Sequence, residues 1–331
     1  MIKIIDTTLT TLDKYLLQKS DLYEFCKLLA LIGVEYIELS KKMYDSMGKL
    51  PEGLSCKFLL HIDNVFDLPL YEKEGFYRFI YRHADGDVNI ISEYQVNDIR
   101  EIVQLKAHTN TSQVRIVGLD DMLCKDYVSE MNEIRKIFKR SEINFCPENT
   151  YKCATALAVQ WILSGGKSIT TSFCGSGNKA STEEVIMALR LAIRHKPNRD
   201  LSVLRELAAL FEQVTGTAIN SKKSIIGKDI FKIEAGIHAD AVLKNPATYE
   251  AYDPSIVGGM TTLVLGKHSG RNAVRRKLLE HSIPIQDNFT IEKILKYVQG
   301  YSIQNSRSLT DEEFVRIARG VIMNERKKAH Y

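Results

Sequence analysis

Eight short runs of apolar and β-branched residues, separated mostly by stretches with helical spacing, fill this chain up to about Arg194. The eight strand candidates span residues 2–6, 36–40, 57–62, 78–82, 88–92, 114–119, 143–146 and 168–173. Strands that alternate with amphipathic helices are typical of βα units around a parallel sheet. Eight such units predict a (β/α)8 TIM barrel, an α/β fold that carries its functional groups at the carboxyl ends of the strands.

The helix candidates, predicted from apolar residues that recur at three and four positions, span residues 21–32, 96–106, 125–138, 151–163 and 183–194. The fourth unit is irregular, because about five residues, 83–87, separate two strand candidates and a parallel crossover takes a dozen or more. Either one candidate is not a strand or the barrel is locally altered. The pair Asp85-Gly86 would suit a hairpin turn, which would make the two runs antiparallel.

The pattern changes after Arg194 to a polar connector, a helix over about 201–214, and irregular sequence containing Gly, Pro and Tyr. We predict a barrel over 1–200, a linker helix and α/β accessory subdomain over 201–275, and a helical C-terminal subdomain over 276–331. In the last of these, the helices are expected to break near Pro284 and Ser306. Thr310 is expected to cap the final helix.

Composition excludes several classes of protein. The net charge of +4 is small and its cations are spread along the chain, so nucleic acid is not an expected partner. The longest apolar runs fall far short of the ~20 residues that a membrane span needs, and no signal-peptide pattern opens the chain. The six cysteines lack CxxC spacing and are expected to be free thiols. We expect a cytoplasmic protein with no membrane partner.

Several motifs resemble those of the homocitrate synthase and 2-isopropylmalate synthase family. They are the stretch 227–240, which contains His238; the stretch 246–254, which contains Tyr249; the run Gly266-Lys267-His268-Ser269-Gly270; and the openings Asp6-Thr7-Thr8-Leu9 and Ile37-Glu38. The resemblance covers the whole chain. It implies a metal-dependent barrel that condenses acetyl-CoA, or another acyl-CoA, with a 2-oxo acid. It also implies a homodimer in which an accessory region reaches over the neighbouring subunit's active site.

The chain departs from this family where the family binds its metal. Thr10 and Thr11 stand where the family has an Arg that binds the 2-oxo acid and an Asp that ligates the metal. Cys146 and Glu148 replace two His ligands, and Cys174 replaces an Asn ligand. A hard divalent cation needs several oxygen or imidazole donors in fixed geometry, which these residues do not supply. We therefore expect no ordinary homocitrate synthase activity, and the family's divalent metal is doubtful here.

The resemblance assigns catalytic roles to His238, Tyr249 and Glu38, since a His can move protons near neutral pH and a Tyr can donate to a developing oxyanion. The alternative is that this accessory motif is retained for packing. Cys146 and Cys174 are expected at the ends of adjacent strands. With Glu148 they could bind a softer metal such as Zn²⁺, or one Cys could act as a nucleophile. The alternative is that both are small buried apolar residues.

Candidate substrate-binding residues lie at the same end of the predicted barrel. Thr10, Thr11 and Asn149 follow its first and seventh strands, and a turn containing Gly175, Gly177 and Lys179 follows the eighth. This last turn could hold a CoA phosphate against backbone N–H groups, or it could simply join a strand to a helix. His83 and Asp13, on other loops, could add ligands to a Zn²⁺ site at Cys146, Glu148 and Cys174.

Three functions are compatible with these features. The first is a condensing transferase or carbon–carbon lyase of the same class, with an altered active site built on Cys146, Glu148 or Cys174. The second is a catalytically inactive homologue that acts as a binding, regulatory or scaffold subunit of a competent synthase. The third is a barrel enzyme that works without a metal. The first is preferred slightly, because the substitutions introduce reactive groups as well as removing ligands.

Overall fold

The computed structural model describes residues 2–82, 89–234, 245, 250–284 and 287–328. Its barrel strands are β1 (Lys3–Asp6), β2 (Tyr36–Ser40), β3 (Lys57–His61), β4 (Arg78–Arg82), β5 (Ile90–Val96), β6 (Gln113–Gly118), β7 (Glu142–Pro147) and β8 (Ser168–Thr171). They follow one another in chain order around a closed barrel, in which β8 pairs with β1. The predicted (β/α)8 barrel is confirmed.

Helices and short 3-10 segments connect most of the strands. The helices are α1 (Thr8–Thr11), α2 (Lys19–Ile32), α3 (Lys41–Met47), α4 (Leu68–Tyr71), α5 (Tyr127–Ile137), α6 (Ala154–Leu163), α7 (Thr182–Ile193) and α8 (Leu204–Thr215). The 3-10 segments are Val65–Asp67, Ile99–His108, Met122–Cys124 and Phe173–Asn178. The helix predicted over 96–106 was wrong in type and start, because β5 continues to Val96 and a 3-10 segment follows. None of the described helices is long and apolar enough to cross a membrane.

The fourth unit of the barrel is irregular, as the sequence suggested. Strands β4 and β5 pair in parallel, with Phe79 opposite Ile90 and Arg82 opposite Glu93. The antiparallel alternative was therefore wrong, and the Asp85-Gly86 pair lies outside the described residues. The seven residues between the two strands, 83–89, are fewer than the dozen or more that a parallel crossover usually takes.

Gly118, the last residue of β6, occupies a position that only glycine fits. Its φ is +107°, and a Cβ built there would lie 2.1 Å from the carbonyl oxygen of Val96. The strained φ and the collision with the backbone would both destabilise the fold if any other residue stood here. The neighbouring strand could make room only by moving its main chain.

We expect Gly118→Ala to lower the free energy of unfolding by about 3 kcal/mol, measured by urea denaturation. Gly216→Ala is the matched control, because Gly216 also has a positive φ, +63°, but has open space around the Cβ position. That substitution should lower the free energy of unfolding by only about 1 kcal/mol. Equal losses in the two variants would show that the contact with Val96 contributes nothing.

The chain divides into two compact units, Met1–Gly227 and Lys228–Tyr331. The second contains the parallel pair β9 (Lys232–Ile233) and β10 (Thr262–Leu263), a 3-10 segment Pro254–Val257, and the helices α9 (Arg271–Glu280), α10 (Asn288–Asn305) and α11 (Asp311–Lys328). These helices bury an apolar core that includes Val274, Leu278, Ile294, Val298 and Phe314.

The predicted ends of the tail helices are confirmed. Helix α10 ends at Asn305, and the next residue, Ser306, adopts a left-handed conformation with φ 52°. Helix α11 begins after Thr310, whose side chain accepts the Glu313 N–H at 3.3 Å, while the Glu313 carboxylate accepts the Thr310 N–H at 2.9 Å. This reciprocal pair is a capping box.

The run from Gly266 to Gly270 wraps around the carboxylate of Glu234 in the second unit. Glu234 accepts the backbone N–H of His268 and the hydroxyl of Ser308, both at 3.0 Å. A Cβ at Gly266 would lie 2.5 Å from the carboxyl carbon of Glu234, so glycine permits this close approach. The side chains of Lys267 and His268 are exposed. The contacts support a structural role for this run.

Candidate active site at the barrel mouth

Thr10 and Thr11 follow β1 at the carboxyl end of the barrel, and both are held by hydrogen bonds. The Thr10 hydroxyl donates to the carbonyl oxygen of Glu38 at 3.2 Å. The Thr11 hydroxyl lies 2.7 Å from that of Ser176 and 3.5 Å from that of Ser172, and the two serine hydroxyls bond to each other. Thr11, Ser172 and Ser176 thus form a hydroxyl cluster between the ends of β1 and β8.

The turn after β8 packs directly against this cluster. Cys174, Gly175 and Gly177 have left-handed backbone conformations, with φ of 59°, 70° and 64°. A Cβ at Gly177 would lie 2.4 Å from the methyl group of Thr11, so glycine lets the turn pack on that side chain. The Gly175 N–H donates to the carbonyl oxygen of Ser172 at 3.0 Å. This N–H therefore stabilises the turn itself.

Glu148 and Lys179 join the loops after β7 and β8. Their charged groups lie 3.3 Å apart, and the two residues also form an antiparallel backbone bridge. The side-chain amide of Gln95, from β5, donates to the other Glu148 oxygen at 3.1 Å. Asn149 Oδ1 accepts the N–H of Ala154, the first residue of α6, at 3.1 Å. Each of these predicted site residues is engaged in a contact between loops or elements of the barrel.

A buried polar cluster, not anticipated as a group from the sequence, lies inside the barrel. Arg115 on β6 places its Nη1 2.7 Å from Glu38 Oε2 and 3.5 Å from Glu93 Oε2. His61 Nδ1 lies 3.1 Å from Glu38 Oε1. Arg115 and Glu38 are each 2% exposed. We call these four residues the Arg115 cluster.

Neutral side chains extend the Arg115 cluster towards β7 and β8. Arg115 Nε donates to Asn144 Oδ1 at 2.9 Å, which also accepts the Thr170 hydroxyl at 2.7 Å. Asn144 Nδ2 donates to the Ser168 hydroxyl at 2.9 Å. Within the described part of the chain, Arg115 Nη2 is buried and has no hydrogen-bond partner. A buried N–H group of this kind suits an additional acceptor.

The pKa values in this cluster favour the charged forms of Glu38 and Arg115. Burial alone would raise the pKa of Glu38, but the Arg115 guanidinium and the bond from His61 lower it to about 2. Burial would likewise lower the pKa of Arg115, but Glu38 and Glu93 raise it. Burial would lower the pKa of His61, but the contact with Glu38 raises it on balance. Removing one partner would leave the others buried without compensation.

The sequence does carry a signal for this cluster. Arg115 lies between Val114 and Ile116, and Glu38 lies between Ile37 and Leu39. Since alternate residues of a barrel strand point inward, one charge in an apolar run can point into the barrel while its neighbours pack against the outer helices. Of the two, only Glu38 was a predicted site residue, and it was predicted from the family resemblance.

Comparisons with known proteins agree with this architecture. Residues 225–305 match the family described as homocitrate synthase post-HMGL domain-like. The omega subunit of homocitrate synthase from Clostridium pasteurianum is 31% identical over 94% of this chain and 94% of that subunit. A 2-isopropylmalate synthase from Caldanaerobacter subterraneus is 34% identical over 78% of this chain and 66% of that synthase. The chain belongs to the homocitrate synthase and 2-isopropylmalate synthase family.

A solved structure has the same barrel fold as this chain. Hydroxymethylglutaryl-CoA lyase from Pseudomonas aeruginosa superposes with a TM-score of 0.55, covering 66% of this chain and 94% of that chain. The sequences are 12% identical, so the likeness shows a common fold.

The two cysteines that the family resemblance assigns to ligand positions are weakly acidic here. Burial raises the pKa of Cys146, against the opposing effect of Lys179 and Arg115. Burial and the nearby Glu183 raise the pKa of Cys174 to about 11. Both side chains are therefore thiols at neutral pH, whereas metal binding and nucleophilic attack require the thiolate.

The donor set does not fit the divalent metal that the family resemblance implies. Thr11 is bonded within the hydroxyl cluster, and Glu148 is paired with Lys179. Among the residues that the structure describes, no three His, Cys, Asp or Glu side chains are grouped so that they could hold a metal ion. Cys146, Glu148 and Cys174 are thus not brought together as a ligand group.

Other predicted site residues are placed as follows. His238, Tyr249 and His83 lie outside the described residues. Asp13 accepts the Ser40 hydroxyl at 2.5 Å and is not part of a metal cluster. The catalytic roles assigned to His238 and Tyr249 by the resemblance stay predictions.

A buried carboxyl beside the mouth predicts a pH dependence of stability. Burial raises the pKa of Glu183 from 4.5 to about 7, although Lys223 lies 3.3 Å away and opposes the shift. Because the folded-state pKa is raised, this group's contribution is fully present below 4.5 and is lost as the pH rises through about 7. Glu38 has the opposite sign, and its contribution is lost as the pH falls towards 2.

As the pH rises from about 5 to about 8, we therefore expect the free energy of unfolding of Glu183→Gln to fall less than that of the wild type. Urea unfolding at each pH measures it. Glu206→Gln, which changes an exposed carboxyl on α8, is the control and should follow the wild type. If Glu183→Gln and the wild type have parallel pH profiles, Glu183 is ionised throughout this range.

Proposed function

We propose that this chain is a non-metal-binding subunit of a homocitrate synthase-type enzyme, and that its accessory region completes the active site of a second, metal-binding synthase chain. The observation that carries the proposal is the hydroxyl cluster at Thr11. The position that the family resemblance assigns to a metal-binding carboxylate is part of a packed, hydrogen-bonded group of hydroxyls. We derive no catalytic step through a metal in this barrel.

The accessory region supports a mixed pair of chains. His238 and Tyr249 match the family residues that reach a neighbouring subunit's active site. In a homodimer of this chain they would reach a barrel with an unsuitable donor set. In a mixed pair they would reach a complete site, so their retention has a function. The relative from Clostridium pasteurianum is named as a subunit, which supports the same role here.

An altered condensing enzyme is the less favoured function. It would use Cys146, Glu148 or Cys174 as its reactive groups. The raised pKa values of the two thiols and the ion pair between Glu148 and Lys179 both argue against it. The preference drawn from the sequence is therefore reversed in favour of the subunit.

A second candidate function, compatible with the first, is binding of a 2-oxo acid without condensation. The observation that favours it is the unpartnered Nη2 of Arg115, since a guanidinium N–H suits a carboxylate oxygen. Calorimetric titration of the wild-type chain with 2-oxoglutarate tests it directly. Absence of heat at millimolar ligand would remove this candidate and leave the subunit proposal unaffected.

The subunit proposal is tested by reconstitution. We expect the purified chain alone to release no thiol from acetyl-CoA with a panel of 2-oxo acids, with or without added Mg²⁺, Mn²⁺ or Zn²⁺. Mixed with a synthase chain of the same organism that has the complete metal motifs, it should form a complex and raise the turnover of that chain. Metal-dependent turnover by this chain alone, abolished in Cys146→Ala or Cys174→Ala, would contradict the proposal.

A further inference from the structure

A long groove runs between α10 and α11 in the second unit. Lys293 pairs with Glu325 at 2.9 Å, and Tyr301 donates to Glu313 at 2.5 Å, so the two helices run antiparallel. The cavity between them is open and has a volume of about 860 Å³. It extends along α10 from Lys293 to Gln304, which is about 16 Å at 1.5 Å per residue, or three helical turns.

Two glycines deepen this groove. Gly300 lies on α10 and Gly320 on α11, and a Cβ at either position would meet nothing within 4 Å. Glycine inside a helix costs about 1 kcal/mol relative to alanine. Neither glycine is required by a close contact within the described chain.

The groove is positively charged, and its lining includes an exposed aromatic side chain. Lys293 is neutralised by Glu325, but Lys296 and Arg316, which both line the groove, have no ion-pair partner among the described residues. Tyr297, which lines the groove, is 62% exposed. Exposed apolar residues beside a concave surface are typical of a protein-binding site.

We propose that this groove binds an acidic, amphipathic helix of the partner synthase chain. A three-turn helix matches the length of the groove, and its apolar face would cover Tyr297 and fill the space at Gly300 and Gly320. Its carboxylates would pair with Lys296 and Arg316. A second copy of this chain is a poor occupant, because a symmetric contact would place these cations against themselves. The inference rests on the proposed function.

The test uses the full chain and the metal-competent synthase chain, with their affinity measured by sedimentation velocity. Gly320→Leu should fill the groove and lower the affinity by on the order of 100-fold, while leucine favours the helix and so preserves folding. The double change Lys296→Glu and Arg316→Glu should cause a similar loss. Arg319→Glu, a charge reversal on α11 outside the groove lining, should leave the affinity unchanged.

Each other outcome is decisive. If the wild-type complex forms and the groove variants bind equally well, the groove inference is overturned and the proposed subunit function stands. If the wild-type chains do not associate, both are overturned. If this chain self-associates alone and the groove variants abolish that association, a second copy occupies the groove and the inference is wrong.

Discussion

Replacing Arg115 by methionine should lower the free energy of unfolding by about 3–5 kcal/mol, the loss expected when one member of a buried ion pair is removed. Arg115 compensates two carboxylates inside the barrel, with Nη1 2.7 Å from Glu38 and 3.5 Å from Glu93. Without the guanidinium, the Glu38 carboxylate keeps only its bond from His61 among the residues that the structure describes. Urea unfolding near pH 7 measures the loss.

The double variant Arg115→Met with Glu38→Gln separates charge from packing. If the loss in Arg115→Met comes from an uncompensated carboxylate, neutralising Glu38 should recover a large part of it. If the double variant is no more stable than Arg115→Met alone, packing around the guanidinium dominates instead. Lowering the pH towards 4 should narrow the difference between Arg115→Met and the wild type, because protonation of Glu38 then relieves the variant.

Replacing His238 by alanine in this chain should lower the turnover of the reconstituted enzyme about 100- to 1,000-fold, the usual effect of losing a general acid or base. Under the proposed function this chain binds no catalytic metal, so the loss would mean that His238 serves the partner's site. Thiol release from acetyl-CoA, with the partner chain limiting, measures the turnover.

His281→Ala is the matched control, since it removes another His from the second unit, one that lies 3.6 Å from Asp311. It should leave the turnover within about twofold, as expected for a change outside the reacting groups. Complex formation must be checked for both variants, because a lost complex would imitate a lost catalytic group. An intact complex with undiminished turnover in His238→Ala would refute the shared site.

The barrel could be predicted from the sequence because its strands are apolar runs at regular intervals. The parallel direction of β4 and β5, on either side of the fourth connection, could not be predicted. Asp85-Gly86 is a local signal for a hairpin, whereas barrel closure requires β4 and β5 to be parallel, and the observed register is parallel. The pairing of each strand with both of its neighbours thus determined the strand direction, against the local turn preference. The helix predicted from Val96 shows a similar effect, because pairing with β6 holds Val96 in β5.

The candidate site was predictable in composition but not in contacts. The substitutions at Thr11, Cys146 and Cys174 can be read directly from the sequence. That Thr11 is bonded to Ser176, and that Glu148 is paired with Lys179, depends on how separate loops meet. The Arg115 cluster was missed for the same reason, since its four members come from four different strands.

Closure of the barrel by β1 and β8 also affects how the chain is made. Lys3 pairs with Ser168 and Asp6 with Thr171, so one edge of β1 has no barrel partner until β8 has been synthesised. At about 5–20 residues per second, that delay is roughly ten to thirty seconds on the ribosome. An unpaired strand edge is prone to aggregate. The nascent chain is therefore most vulnerable before β8 emerges, and a chaperone that shields the first strand should raise the yield of folded protein.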